Sequence, residues 1–228
     1  MTSQSSGVHT VVIIGGAPIL AEALLGLPTG ALYIAADSGL DHALAAGLRP
    51  TVLVGDLDSV GAAALAWAHE HNVEILEHSP DKDFTDTELA ISVAVLRGAT
   101  HLTVLSGGGD RLDHSLGALT ALGHASLCNL TAIEARWADS LVRVLHGPAQ
   151  ADVRMAVGAT FSVLALHGPA DGVVVEGARW PLHDAHIDAG SSYGVSNVAV
   201  ASTIAVGVRS GVLTVIRPHT FQTTGDHS

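Results

Sequence analysis

The sequence predicts an α/β fold with a parallel sheet over residues 1–136, followed by a smaller all-β, sandwich- or barrel-like domain over 137–228. Two observations carry this. Up to about residue 136 short apolar runs alternate with Ala- and Leu-rich helical segments, and beyond it short β-rich runs follow one another, broken by Gly and Pro. In the first half, moreover, nearly every cluster of polar residues follows an apolar run, where the loops of a parallel sheet converge.

Residues 8–14, 31–36, 51–54, 73–76 and 101–105 read as buried strands, and 18–26, 39–46, 61–71, 86–97 and 113–124 as helices. Strict alternation of this kind implies a parallel sheet covered on both faces. In the second half, 141–145, 159–166, 172–177, 202–208 and 211–216 read as antiparallel strands.

Composition narrows the function. A chain of 228 residues that is 48% hydrophobic buries a core without help from disulfides or a structural metal. The single cysteine, Cys128, cannot form an internal disulfide, and MTSQSSG lacks the basic start and apolar stretch of a signal peptide, so a cytoplasmic location is expected. Every apolar run is interrupted before membrane-spanning length, so no membrane partner is expected. Ten Lys+Arg against 22 Asp+Glu exclude a nucleic-acid partner, which would call for a basic stripe. The fourteen His residues lack the spacing of a zinc site.

The clusters are Gly15-Gly16, Asp37, Gly55-Asp56-Leu57-Asp58-Ser59, Lys82-Asp83-Phe84-Thr85-Asp86, and Ser106-Gly107-Gly108-Gly109-Asp110-Arg111-Leu112-Asp113. In an extended segment Asp56 and Asp58 project to one side. Alone, such a pair reads as a solvated acidic turn. With Asp86 and Asp113 at the same edge, the mutual repulsion points to a hard cation held by oxygen ligands. Thr85 and Glu88 fit a capping box, which would fix Asp86 at a helix N-terminus. Lys82, the only lysine, suits a point charge for phosphate. Gly107, Gly108 and Gly109 would let backbone N–H groups approach a phosphate, with Arg111 adding a bidentate contact.

Taken together, AADSGLDHALAAGLRPTVLVGDLDS, SPDKDFTDTELAI and LSGGGDRLDHSLGAL resemble the three linked signatures of thiamine pyrophosphokinases, and EGARWPL and GSSYGVSN resemble that family's thiamine-side segments. The resemblance implies a parallel-sheet nucleotide-binding domain for ATP and metal, a β-rich domain for thiamine and dimerisation, and a homodimer with thiamine sites between subunits. It implies transfer of diphosphate from ATP to the hydroxyl of thiamine, with Mg2+ and release of AMP. Carried over, Asp56, Asp58, Asp86 and Asp113 are the catalytic acids, the first three of them metal ligands. Asp37, Lys82, Asp83, Thr85, Gly107, Gly108, Gly109 and Arg111 fall on the nucleotide side, and Trp180, Ser196 and Asn197 on the thiamine side. Two departures stand out: Gly109-Asp110 precedes Arg111 where the family often has two glycines, and Asp37-Ser38-Gly39 replaces Asp-Gly-Gly.

Two other functions fit parts of the sequence. VLVGDLDSV superficially matches the nucleophile motif of a haloacid dehalogenase-type phosphatase, but that motif ends the first strand and here it ends the third. A non-catalytic nucleotide or thiamine sensor could share the fold, though it would not require the full set of acids.

Overall fold

The computed structural model describes residues 7–79, 81, 83–109 and 111–221. Six strands form the parallel part of a large sheet: β1 (His9–Ile13), β2 (Leu32–Ala36), β3 (Val52–Gly55), β4 (Glu74–Glu77), β5 (His101–Ser106) and β6 (Ala132–Trp137). Their order is β6-β5-β1-β2-β3-β4, so the chain reverses its direction of growth between β1 and β5. That switch point opens a crevice at the carboxyl ends of the two strands.

Helices cover both faces of this part, as the alternation predicts. On one face α3 (Asp86–Leu96) and α4 (Leu112–Ala121) bury Ala90, Ala94, Ala118 and Ala121 against Val12, Ile34, Val54 and Val104. On the other, α1 (Gly39–Ala45) and α2 (Ala62–Glu70) place Leu40, Ala64 and Ala68 against Ala35 and Leu53. Small side chains at the contacts let helix and sheet approach closely.

The expected helix over 18–26 is reduced to one 3-10 turn, Ala21–Leu24. The carbonyls of Ala23 and Leu25 instead accept hydrogen bonds from Arg136 Nη1 at 2.6 and 2.7 Å. The long-range cation satisfies groups that a helix would have used internally.

Beyond β6 the sheet continues without a break. β7 (Ser140–His146) pairs antiparallel with β6, and β14 (Val212–Arg217), β9 (Thr160–Leu164) and β12 (Asn197–Val198) follow, making ten strands in all. A second sheet of four strands has the order β11 (Leu182–Ile187), β10 (Ala170–Glu176), β13 (Thr203–Val208), β8 (Ala149–Arg154). Its inner side chains Val153, Val173, Val175, Ile204 and Val206 pack on Leu145, Phe161, Val163, Leu213 and Val215 of the large sheet. The predicted sandwich is present, and one of its layers is an extension of the parallel sheet.

Four strands escape the sequence pattern: β6, β8, β11 and β12. Glu134 and Arg136 interrupt the apolar rhythm of β6, while β8 and β11 are edge strands whose outward residues, Asp152 and Arg154 or His183 and Asp184, meet water. No helix among the described residues is long and apolar enough to cross a membrane.

Candidate active site

A cavity of about 360 Å3 lies at the switch point, lined by Gly15, Gly16, Asp37, Ser59, Asp86, Ser106, Gly109, Arg111, His114 and Trp137 among others. These residues end or follow β1, β2, β3, β5 and β6 or begin α3 and α4, so they share the carboxyl edge expected from the sequence.

The acidic part is built from turns. Asp37 and Leu57 have φ of 51° and 67°, both left-handed. Asp37 Oδ1 accepts the Leu57 N–H at 3.1 Å and Oδ2 accepts the Ser59 hydroxyl at 2.7 Å, which ties the loop after β2 to the loop after β3. Asp56 and Asp58 converge through a bend at Leu57, where the Asp58 N–H donates to Asp56 Oδ1 at 3.3 Å. The extended geometry inferred from their spacing is therefore corrected: a tight turn directs both carboxylates.

One oxygen from each of Asp37, Asp56 and Asp58 lies within 4.8 Å of the others. At that separation each pair repels by roughly 3–4 kcal/mol at an effective dielectric of about 20. Burial pushes the Asp37 carboxyl above the usual carboxylate range and Asp86, Asp56 and Asp58 push it the same way, opposed by the bond from Ser59. An all-oxygen donor set of high negative charge fits a hard divalent cation. Asp37, assigned from sequence to the nucleotide side, thus joins the carboxylate group, and Asp86 stands close enough to act on it electrostatically. The adjacency of β2 and β3 brings Asp37 there, and the position of both residues just after neighbouring parallel strands was the available signal.

Asp86 opens α3 under the expected capping box. The Thr85 N–H donates to Glu88 Oε2 at 3.0 Å and the Glu88 N–H to Thr85 Oγ1 at 3.2 Å. Asp83 is exposed, and Lys82 lies outside the described residues.

The glycine loop divides. Gly109 and Arg111 line the cavity, whereas Gly107 and Gly108 are taken up by packing between loops. A side chain at Gly107 would collide with the carbonyl oxygens of Ala17 and Pro18. The Gly108 N–H donates to the buried Ser106 Oγ at 3.2 Å, its carbonyl accepts from the Ala17 N–H at 2.7 Å, and its φ is 86°. Asp113 sits in the first turn of α4, exposed and gripped by Arg111, with Nη2–Oδ2 at 2.6 Å and Nε–Oδ1 at 3.2 Å. Those bonds hold its carboxyl down to about 2. Trp137, at the end of β6, lines the cavity, and the sequence pattern gives no sign of it because Glu134 and Arg136 mask β6.

The residues expected on the thiamine side, Trp180, Ser196 and Asn197, do not line this cavity, and neither do Asp56, Asp58 and Asp113. Asn197 is buried and its amide is heavily used, Oδ1 accepting from the Trp180 and Val198 N–H groups at 3.1 and 2.8 Å and Nδ2 donating to the Trp180 carbonyl at 2.7 Å. It clasps the segment that presents Trp180, which is 53% exposed with the Arg179 guanidinium 5.0 Å from its ring centroid. Ser196 is exposed, with φ of 60° and its N–H bonded to Ser162 Oγ at 3.1 Å.

An α/β fold with a glycine-lined cavity at its switch point and a carboxylate cluster suited to a divalent ion is the arrangement that metal-assisted phosphate transfer calls for. Two models of one family match the chain: the thiamin pyrophosphokinase catalytic domain over residues 27–132 and the thiamin pyrophosphokinase vitamin B1 binding domain over 150–213. The thiamine pyrophosphokinase of Bacillus subtilis (strain 168) is 25% identical over 209 residues, covering 90% of this chain and 96% of that one. Two crystal structures share the fold. Thiamine pyrophosphokinase from Bacillus subtilis superposes with a TM-score of 0.79 at 22% identity, over 92% of this chain and 98% of that one. Yeast thiamin pyrophosphokinase gives 0.74 at 13%, over 96% and 88%.

The chain belongs to the thiamine pyrophosphokinase family. Its activity is that of a thiamine diphosphokinase, the ATP-dependent transfer of diphosphate to thiamine, and enzymes of this family use ATP and a divalent metal ion.

Proposed function

We propose that the switch-point cavity takes ATP with Mg2+, and that the hydroxyl oxygen of thiamine attacks the β-phosphorus there. The new O–Pβ bond replaces the Pα–O–Pβ bridge, AMP leaves, and thiamine diphosphate forms. The convergence of Asp56 and Asp58 on Asp37, which lines the cavity, carries this proposal. These three, with Asp86 beside them, would hold the ion, which supplies charge neutralisation to phosphate oxygens that the carboxylates alone would repel. Ser59 and the Leu57 N–H orient Asp37, and the Thr85 cap orients Asp86. Arg111 supplies guanidinium donors at the cavity wall, its pairing with Asp113 fixing the side chain across the first turn of α4. A carboxylate of this set accepts the hydroxyl proton. Lys82, Asp83, Gly107, Gly108 and Gly109 complete the nucleotide side, the first two as polar groups of the loop before α3 and the glycines as the loop after β5.

The thiamine side is proposed to include Trp180, Ser196 and Asn197, brought to the cavity by a second copy of the chain. The exposed Trp180, Tyr193, Val195 and Val200 around them support this. A flat aromatic face suits a cation bearing a pyrimidine. Residues 1–136 would then be the ATP and metal domain and 137–228 the thiamine and dimerisation domain, a division supported by the family models, which end at 132 and resume at 150. A cytoplasmic location is in keeping with the exposed free thiol of Cys128.

The test is incubation of the purified chain with thiamine, ATP and Mg2+, following AMP and thiamine diphosphate. Equimolar products that vanish in excess EDTA are expected. Thiamine-independent phosphate release would instead indicate a phosphatase, and binding without turnover a sensor. For the intersubunit site, mixing Asp56→Asn with Trp180→Ala should restore turnover that neither variant has alone. Failure to complement, with both variants dimeric, would place the site within one chain.

A further inference from the structure

Three of the nine arginines, Arg143, Arg154 and Arg217, line one cavity of about 230 Å3 between β6, β7 and β14 of the large sheet and the edge strand β8. The cross-strand register pairs Val215 with Arg143 and Leu141 with Arg217, so Arg143 and Arg217 are diagonal neighbours on one face of the sheet. Arg143 is committed, donating to Glu134 Oε1 at 2.6 Å. The guanidinium of Arg217 is half-buried and makes no hydrogen bond or ion pair among the described residues, and exposed Arg154 makes none either. Burial lowers the Arg217 pKa, the attraction of Glu134 opposes it in part, and the like charge of Arg143 adds a smaller lowering. Asp152, exposed at the rim, leaves the pocket with a formal surplus of one positive charge in a chain of net charge −12. Glu134 is already bonded to Arg143, so the half-buried Arg217 guanidinium keeps its donors unused, and a further anion is the group that would engage them.

This pocket is separate from the active site. Glu134 lies three residues before Trp137 on β6, about 10 Å along the strand, and the alternation of side chains turns the two to opposite faces. The two cavities share no lining residue. The volume falls below the roughly 300 Å3 at which drug-sized ligands begin to fit, so a whole nucleotide is excluded and a compact polyanion suits.

We propose that the Arg143–Arg154–Arg217 pocket is a second anion site that takes a diphosphate group, with Arg217 and Arg154 as its free donors. Guanidinium forks match phosphate oxygens in pairs, which a lone carboxylate would use only in part. Diphosphate chemistry is available from free inorganic pyrophosphate or from the diphosphate end of the reaction product.

The test is calorimetric titration of inorganic pyrophosphate into the full chain in EDTA, which removes the metal that active-site binding of the anion needs. Saturable binding is expected, weakened about tenfold or more in Arg217→Gln and in Arg154→Gln, the loss expected for a charge-assisted bond, and unchanged in Asp56→Asn. Arg154 is exposed, so its variant keeps the test valid should Arg217→Gln fold poorly. A parallel titration with thiamine diphosphate distinguishes the sources: equal affinity assigns the pocket to the inorganic anion and tighter binding assigns it to the product. Absence of saturable binding in the millimolar range would overturn the proposal, as would equal binding by the wild type and both arginine variants, or loss confined to Asp56→Asn.

Discussion

The carboxyl edge of the parallel sheet and the β12 end of the sandwich both carry polar residues singled out by the family resemblance, but they treat them in opposite ways. At the first, Asp37, Asp56 and Asp58 crowd together with more like charge than the fold requires, on turns that include two non-glycine residues at positive φ. At the second, Asn197 is buried and its amide is spent on the backbone of Trp180 and Val198. One region holds polar groups in tension for a ligand; the other uses a polar group to hold the fold. Changes in the first should therefore cost activity, and changes in the second stability.

The sharpest way to break this contrast is Asp58→Asn, at an exposed carboxylate. Turnover should fall by about a hundredfold or more, since charge placed for the transition state is lost. Unfolding free energy should hold or rise, because a repelling charge is removed. Paired assays of AMP release and urea denaturation decide it, and a variant that is both active and destabilised would invert the account.

Asn197→Ala should do the reverse in kind. Three backbone bonds disappear from a buried site, and a loss of about 2–3 kcal/mol is expected at about 1 kcal/mol each, visible as a lower urea midpoint. Because the clasp presents Trp180, the KM for thiamine should also rise while that for ATP stays put. Ser196→Ala, at an exposed side chain, should leave stability within about 0.5 kcal/mol. Equal stability of the two variants would show that the clasp is incidental. Thr85→Ala falls between the two regimes: loss of the cap should cost about 1 kcal/mol and slow turnover by releasing Asp86, whereas Thr85→Ser should restore both.

The parallel half was legible because its strands are short buried runs and its polar clusters follow them; the boundaries of β1, β2, β3, β4 and β5 fall within a residue or two of expectation. Legibility failed where long-range partners decide local structure. Arg136 converts a predicted helix into one turn by taking the carbonyls of Ala23 and Leu25. β6 hides because Glu134 faces Arg143 across the sheet, and with β6 goes Trp137. The grouping of Asp56 with Asp58 could be read from type and spacing, but the membership of Asp37 depends on which strands are neighbours. Gly107 and Gly108 fit a phosphate loop by composition, and only the structure shows them packed against Ala17, Pro18 and Ser106.

The smallest expected effect concerns two histidines in the second half of the chain, placed oppositely. His167 is half-buried, its Nε2 3.2 Å from Thr214 Oγ1, and burial followed by the nearby His146 lowers its pKa. The unfolded chain therefore takes up this proton first. Stability from His167 is present above the unfolded value of about 6.5 and declines as pH falls below it. His186 is exposed on β11 between Asp171, 2.6 Å from Nδ1, and Asp188, 3.2 Å from Nε2, and the hydrogen bonds to these two carboxylates raise its pKa. Its contribution is complete below about 6.5 and is lost as pH rises through the higher folded value. Urea denaturation over roughly pH 5 to 8, where histidine titrates, isolates each group by subtraction. On lowering the pH, the wild type should lose stability relative to His167→Gln and gain it relative to His186→Gln. Difference curves of the same slope would show that burial and carboxylate pairing do not set these two rings apart.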